Sequence, residues 1–129
     1  MKSRSPIAPH RIRRISGSFS WLDHRLLHNG FLRLMQPEEM LLYFFLVLVG
    51  DKNGVSFYGY DSILGLLKLT LDQFIAARDR LIDMSLIAFE DGRWQVLELP
   101  ETPVRPEPAR SRETASIRQV FDKLFQATP

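Results

Sequence analysis

The chain has no cysteine among its 129 residues. This excludes structural disulfides, thiol nucleophiles and cysteine-ligated zinc, and it suits a reducing cytosol. A long apolar run is also missing. The longest, "MLLYFFLVLV" from Met40 to Val49, has ten residues, about 15 Å as a helix against a hydrocarbon core of roughly 30 Å. Glu38 and Glu39 precede it, and Asp51 and Lys52 follow. A buried helix of a globular domain fits better, and no membrane contact is expected. The N-terminus, "MKSRSPIAPHRIRRISG", is followed by no apolar h-region and no cleavage signal. No secretion is read from it, and a cytoplasmic location is expected.

Catalytic patterns are missing too. There is no glycine-rich phosphate loop, no HExxH, no nucleophile elbow and no recognisable pair of catalytic carboxylates. His24 and His28 have the spacing of two metal ligands on one helix face, but no third ligand stands at a suitable distance. The expectation is a binding protein, without enzymatic activity, cofactor or metal.

What is present is an ordinary apolar fraction, 45%, enough for one core, and an uneven charge. The net charge is +2. Residues 1–14 carry Lys2, Arg4, Arg11, Arg13 and Arg14 with no acid; residues 15–100 carry seven basic and eleven acidic side chains. A basic arm is therefore joined to a mildly acidic body. Such arms either follow phosphate backbones or remain as solvated tails.

Residues 1–17 read as a disordered arm, rich in Pro, Ser and Arg. "FSWLDHRLLHNGFLRLM", Phe19 to Met35, reads as a short helix or irregular cover, broken at Asn29-Gly30. A helix then starts at Gln36-Pro37, with Glu38 and Glu39 at its positive end and Met35 and Met40 at the spacing of a hydrophobic staple. It is apolar nearly all round, so more than one face needs cover. The region from Trp21 to Leu34, a C-terminal helix and a second subunit are the candidates.

"VSFYGY" reads as a short strand, and Asp61 or Ser62 as the cap of a second helix. Thr70-Leu-Asp-Gln73 is a capping box, with Leu69 and Phe74 as its staple, and starts a third helix from Leu71 to about Met84. "SLIAFEDGRWQVLEL" reads as a hairpin turning at Asp91-Gly92. That register pairs Glu90 with Arg93, Phe89 with Trp94, and Ile87 with Val96. Trp21, Phe31, Tyr43, Phe44, Phe45, Phe57 and Tyr58 are expected mainly in the core.

Four prolines (Pro100, Pro103, Pro106 and Pro108) mark residues 100–112 as a stiff linker. Residues 113–129 turn helical again. Ile117, Val120, Phe121, Leu124 and Phe125 fall at i, i+3, i+4, i+7 and i+8. This amphipathic stripe is expected to fold back on its own domain, or to associate with a second copy as a homodimer or with a different protein.

Helix, short strand, helix, tight turn, helix and hairpin, over about Leu34 to Leu99, resemble a winged helix-turn-helix domain, and residues 18–99 are read as that domain. The residues that carry the likeness run from "EEMLLYFFLVLVGDKNGVSFYGYDSILGLLKLT" through "LDQFIAARDRLIDMSLIAFEDGRWQVLEL". They resemble the winged-helix part of DnaD-like primosomal proteins and of plasmid or mobile-element replication initiators. The implied fold is mainly α with a small β-hairpin, and the implied partner is double-stranded DNA. In such domains the third helix enters the major groove and the hairpin, or wing, touches the backbone. Carried over, Lys68, Thr70, Gln73, Ala76 and Arg80 would face DNA, with Arg93 and Trp94 on the wing. Gln73 would meet an adenine edge and Arg80 a guanine or phosphate. Lys68 and the arm's Lys2, Arg4, Arg11, Arg13 and Arg14 would supply phosphate contacts. Asp72, Asp79 and Asp83 oppose that role, which keeps a second expectation open: a winged-helix adaptor that contacts only proteins. Two positions depart from the family pattern. The turn between the second and third helices has no glycine, and Ser85 stands where the family commonly has one, at a site that often needs positive φ.

Overall fold

The computed structural model describes residues 3–106. The expectations for Lys2 and for Ile117, Val120, Phe121, Leu124 and Phe125 lie outside the described residues. Four α-helices and one small sheet follow in order. They are α1 (Arg25–His28), α2 (Pro37–Val49), β1 (Val55–Ser56), α3 (Tyr60–Leu67), α4 (Leu71–Asp83), β2 (Ile87–Glu90) and β3 (Arg93–Val96). The result is a helix-rich fold with a three-stranded antiparallel sheet in the order β1-β3-β2. None of the described helices is long and apolar enough to cross a membrane.

The hairpin has the expected register: Ile87 faces Val96, Phe89 faces Trp94 and Glu90 faces Arg93. Asp91 (φ 51°) and Gly92 (φ 76°) both take positive φ at its turn, as a type I′ turn requires. Instead of spanning "VSFYGY", β1 is only two residues long, pairing Val55 with Gln95 and Ser56 with Trp94. The rest of that segment turns away to present the Tyr58 carbonyl to the Trp94 indole N–H at 2.8 Å. The helix after it starts earlier than expected. Gly59 is its cap position and no side chain caps it, so neither Asp61 nor Ser62 has that role.

Both helix entries marked by sequence are capped. Thr70 Oγ1 accepts the Gln73 N–H at 3.1 Å, and Gln73 Oε1 accepts the Thr70 N–H at 3.0 Å. At α2, the Gln36 N–H donates to Glu39 Oε1 at 3.1 Å. The α4 exit carries the second departure. The Ser85 N–H bonds the Ile82 carbonyl and the Leu86 N–H bonds the Leu81 carbonyl, with Ser85 at φ 60°. This is a Schellman ending with serine in the left-handed position. We expect Ser85→Gly to raise unfolding stability by about 0.5–1 kcal/mol, measured by urea denaturation.

The core gathers Leu26, Phe31 and Met35 with Leu42, Tyr43 and Leu46 of α2, Phe74, Ala77 and Leu81 of α4, and Trp94 of β3. Burial raises the Tyr43 phenol to about 12, assisted by the negative charge of Asp23. Aromatic side chains divide unevenly. Phe31 and Tyr43 are buried and Phe44 and Phe45 half-buried, but Trp21, Phe57 and Tyr58 are exposed. Periodicity does not separate a core aromatic from one on a covering segment. Residues 3–17 are nearly all exposed and contain a single 3-10 turn, Pro9–Arg11. Past residue 99 the chain stays on the domain as far as Pro106, which is buried.

Candidate nucleic-acid interface

The expected DNA-facing set centres on the turn between α3 and α4. The Leu69 N–H bonds the Leu64 carbonyl at 3.2 Å, and Lys68 takes the left-handed conformation, φ 58° and ψ 42°. A lysine holds the position that a glycine fills at no steric cost. Its side chain is exposed, as are those of Thr70 and Gln73 on the first turn of α4. These three residues are brought together by the turn and the capping box. The Gln73 carbonyl oxygen is occupied by that box, which leaves its amide N–H groups to face outward. Ala76 is half-buried.

Two expected residues leave the set. Arg80 turns inward: its Nε donates to Glu39 Oε2 at 2.7 Å and its Nη2 to the Leu34 carbonyl at 3.3 Å. The side chains of this pair are only 11% and 3% exposed. A nearby buried carboxylate is a stronger draw than solvent for a guanidinium with two acceptors in reach. Arg80 therefore ties α4 to the start of α2 instead of facing a groove. Trp94 stays on the hairpin, opposite Phe89 as expected, but is packed into the core, where it is only 1% exposed and is not available to DNA. Its ring lies 4.2 Å from that of Phe89 and 5.9 Å from that of Phe74, centroid to centroid.

Arg93 remains exposed at the base of the hairpin turn, flanked by the exposed Glu90 and Asp91. Arg4, Arg11, Arg13 and Arg14 are exposed on the arm. Among the described residues, ion pairs join Arg25 to Asp23, Arg78 to Asp79 and Arg80 to Glu39; none involves the arm arginines, Lys68 or Arg93. Asp23 is held below the ordinary carboxylate range by its hydrogen bonds to the Arg25 side chain and backbone. Asp51 is held low by the backbone N–H groups of Val55 and Asn53.

One feature escaped the sequence reading. Leu71, Ile75 and Ile82 lie along one outward face of α4 and are exposed, with the half-buried Arg78 between them. Their i, i+4, i+11 spacing is the sequence signal that marks this face. His24 and His28 stand edge to face, with ring centroids 6.1 Å apart. No group of three metal-ligating side chains occurs among the described residues. Comparison with family models, curated proteins and solved structures finds no match to this chain.

Proposed function

We propose that α2, α3, α4 and the hairpin form a winged helix-turn-helix domain, and that the protein is a non-enzymatic binder of double-stranded DNA. Its grip is on phosphates more than on bases. The observation that carries this reading is the unpaired cationic set: four exposed arginines in a stretch with no acid before Asp23, together with Lys68 and Arg93. A lysine kept in a left-handed turn, where glycine is less strained, fits selection for its charge. With Arg80 engaged by Glu39, Gln73 is the main candidate left on α4 for reading a base edge.

A salt titration tests the proposal. Replacing Arg4, Arg11, Arg13 and Arg14 with alanine should flatten the plot of log affinity against log salt by up to about 3.6, at about 0.9 per phosphate contact. Lys68→Gly should remove up to about 0.9 of slope while leaving the domain as stable or more so. Undetectable affinity for any duplex at low ionic strength would end the DNA reading.

A second reading, that of a protein adaptor, draws on the exposed Leu71, Ile75 and Ile82 beside the exposed Asp72. An apolar, acid-flanked helix face is better suited to a protein than to a phosphate backbone. Substituting Ile75 and Ile82 with serine separates the two. DNA affinity should persist if the arm and turn do the binding.

A further inference from the structure

Helix α2 carries two apolar faces. Leu42, Tyr43 and Leu46 point into the core. Leu41, Phe44, Phe45 and Leu48, at i, i+3, i+4 and i+7, form the other. Leu41 is 45% and Leu48 69% exposed, and Phe44 and Phe45 are half-buried. The Phe45 ring meets that of Tyr58 edge-on at 5.2 Å, and Tyr58 is itself exposed, so the patch continues past the helix. At its other side the segment leading into α1 passes close by. Ser20 Oγ donates to the Leu48 carbonyl at 3.4 Å, between the exposed Phe19 and Trp21. Contiguous apolar surface of this kind is seldom left in water.

The geometry points to one occupant: the segment Ile117–Phe125 of the same chain, docked on the Leu41–Phe44–Phe45–Leu48 face. The two patterns are matched. Ile117, Val120, Phe121, Leu124 and Phe125 repeat at the same helical spacing, which lets ridges of one stripe enter grooves of the other. The last described residue, Pro106, is buried, and ten residues, or eleven Cα–Cα steps, separate it from Ile117. Extended, they reach about 35 Å, beyond the roughly 20 Å length of a 13-residue helix such as α2. A tether this short gives an effective concentration in the millimolar range, so closure within one chain wins over exchange between chains at micromolar protein. The outer stripe of α4 is the poorer seat. Arg78 interrupts Leu71, Ile75 and Ile82, whereas the α2 stripe has no polar member. This docking does not depend on the DNA reading.

The absence of cysteine makes the test clean. In the full chain, Leu48→Cys is combined with Leu124→Cys, on the tail stripe, or with Gln119→Cys, on its opposite side. A third variant joins Ile75→Cys with Leu124→Cys. Each is treated at micromolar concentration with a short flexible bis-maleimide, then read by denaturing gel and intact mass. The first pair should form a monomeric cross-link about ten-fold faster than the other two, as a seated tail predicts. Covalent dimers as the main product would overturn closure within one chain. A faster Ile75 pair would move the seat to α4, and equal rates for all three would remove the docking. Independently, Phe121→Asp with Phe125→Asp should raise the binding of an apolar fluorescent dye without lowering the unfolding midpoint of the domain core. Unchanged dye binding would overturn the proposal.

Discussion

Arg80→Ala is expected to lower unfolding stability by about 3–5 kcal/mol, the range for removing one partner of a buried pair. Glu39 is enclosed at the start of α2, with one carboxylate oxygen on the Gln36 N–H and the other on Arg80 Nε. Without the guanidinium its charge would stay buried with a single backbone donor, and the Leu34 carbonyl would also lose a donor. Arg80→Lys should recover only part of the loss, because an ammonium lacks the fork that reaches both acceptors. The double variant Arg80→Met with Glu39→Met should be much closer to the parent, since removing both charges removes the desolvation penalty as well. Denaturant titration of the four proteins reads the coupling directly. A loss under about 1 kcal/mol would mean that solvent screens the pair like an exposed one. The same variant speaks to function. If Arg80 contacted DNA, its removal would reduce the salt slope of the folded protein; held by Glu39, it should leave that slope unchanged.

Arg80 also shows where sequence reading stops. Local signals were legible because their causes are local. The Thr70–Gln73 box, the Asp91-Gly92 turn and the proline at the start of α2 act within four residues, and each appears where expected. Lys68 and Ser85 sit at left-handed positions, which glycine fills at no steric cost, so both carry strain that the fold absorbs. The partner of Arg80 lies 41 residues away, and helical spacing alone gives no reason to choose Glu39 over solvent. The two-residue β1 was overread for a related reason. Phe57 and Tyr58 suit a strand, but the demand of the Trp94 indole for an acceptor turns the backbone there. At the candidate site, the exposure of residues next to strong local motifs (Lys68, Thr70, Gln73 and Arg93) was legible, and the burial of Arg80 and Trp94, set by tertiary packing, was not.

Trp94 is the clearest instance, and its removal should have an effect of comparable size. Trp94→Ala is expected to cost about 3–5 kcal/mol, as for other large aromatic side chains deleted from cores. The indole is 1% exposed and fills the space between β2 and α4, against Phe89 on one side and Phe74 on the other. Its Nε1–H satisfies the Tyr58 carbonyl at 2.8 Å, which fixes the chain between β1 and α3. Trp94→Phe keeps an aromatic ring in that space but drops the donor, so a smaller loss of about 1–3 kcal/mol is expected. Fluorescence provides the measurement. The chain has two tryptophans, one buried and one, Trp21, 74% exposed. In a Trp21→Phe background the remaining emission should be blue-shifted, resist acrylamide quenching, and move to the red in one step with denaturant. Addition of duplex DNA should leave the quenching unchanged. Strong DNA-dependent protection of Trp94 would instead return it to the outer face of the hairpin. Stability unaffected by Trp94→Ala would mean that the sheet and α4 do not depend on this ring for their contact.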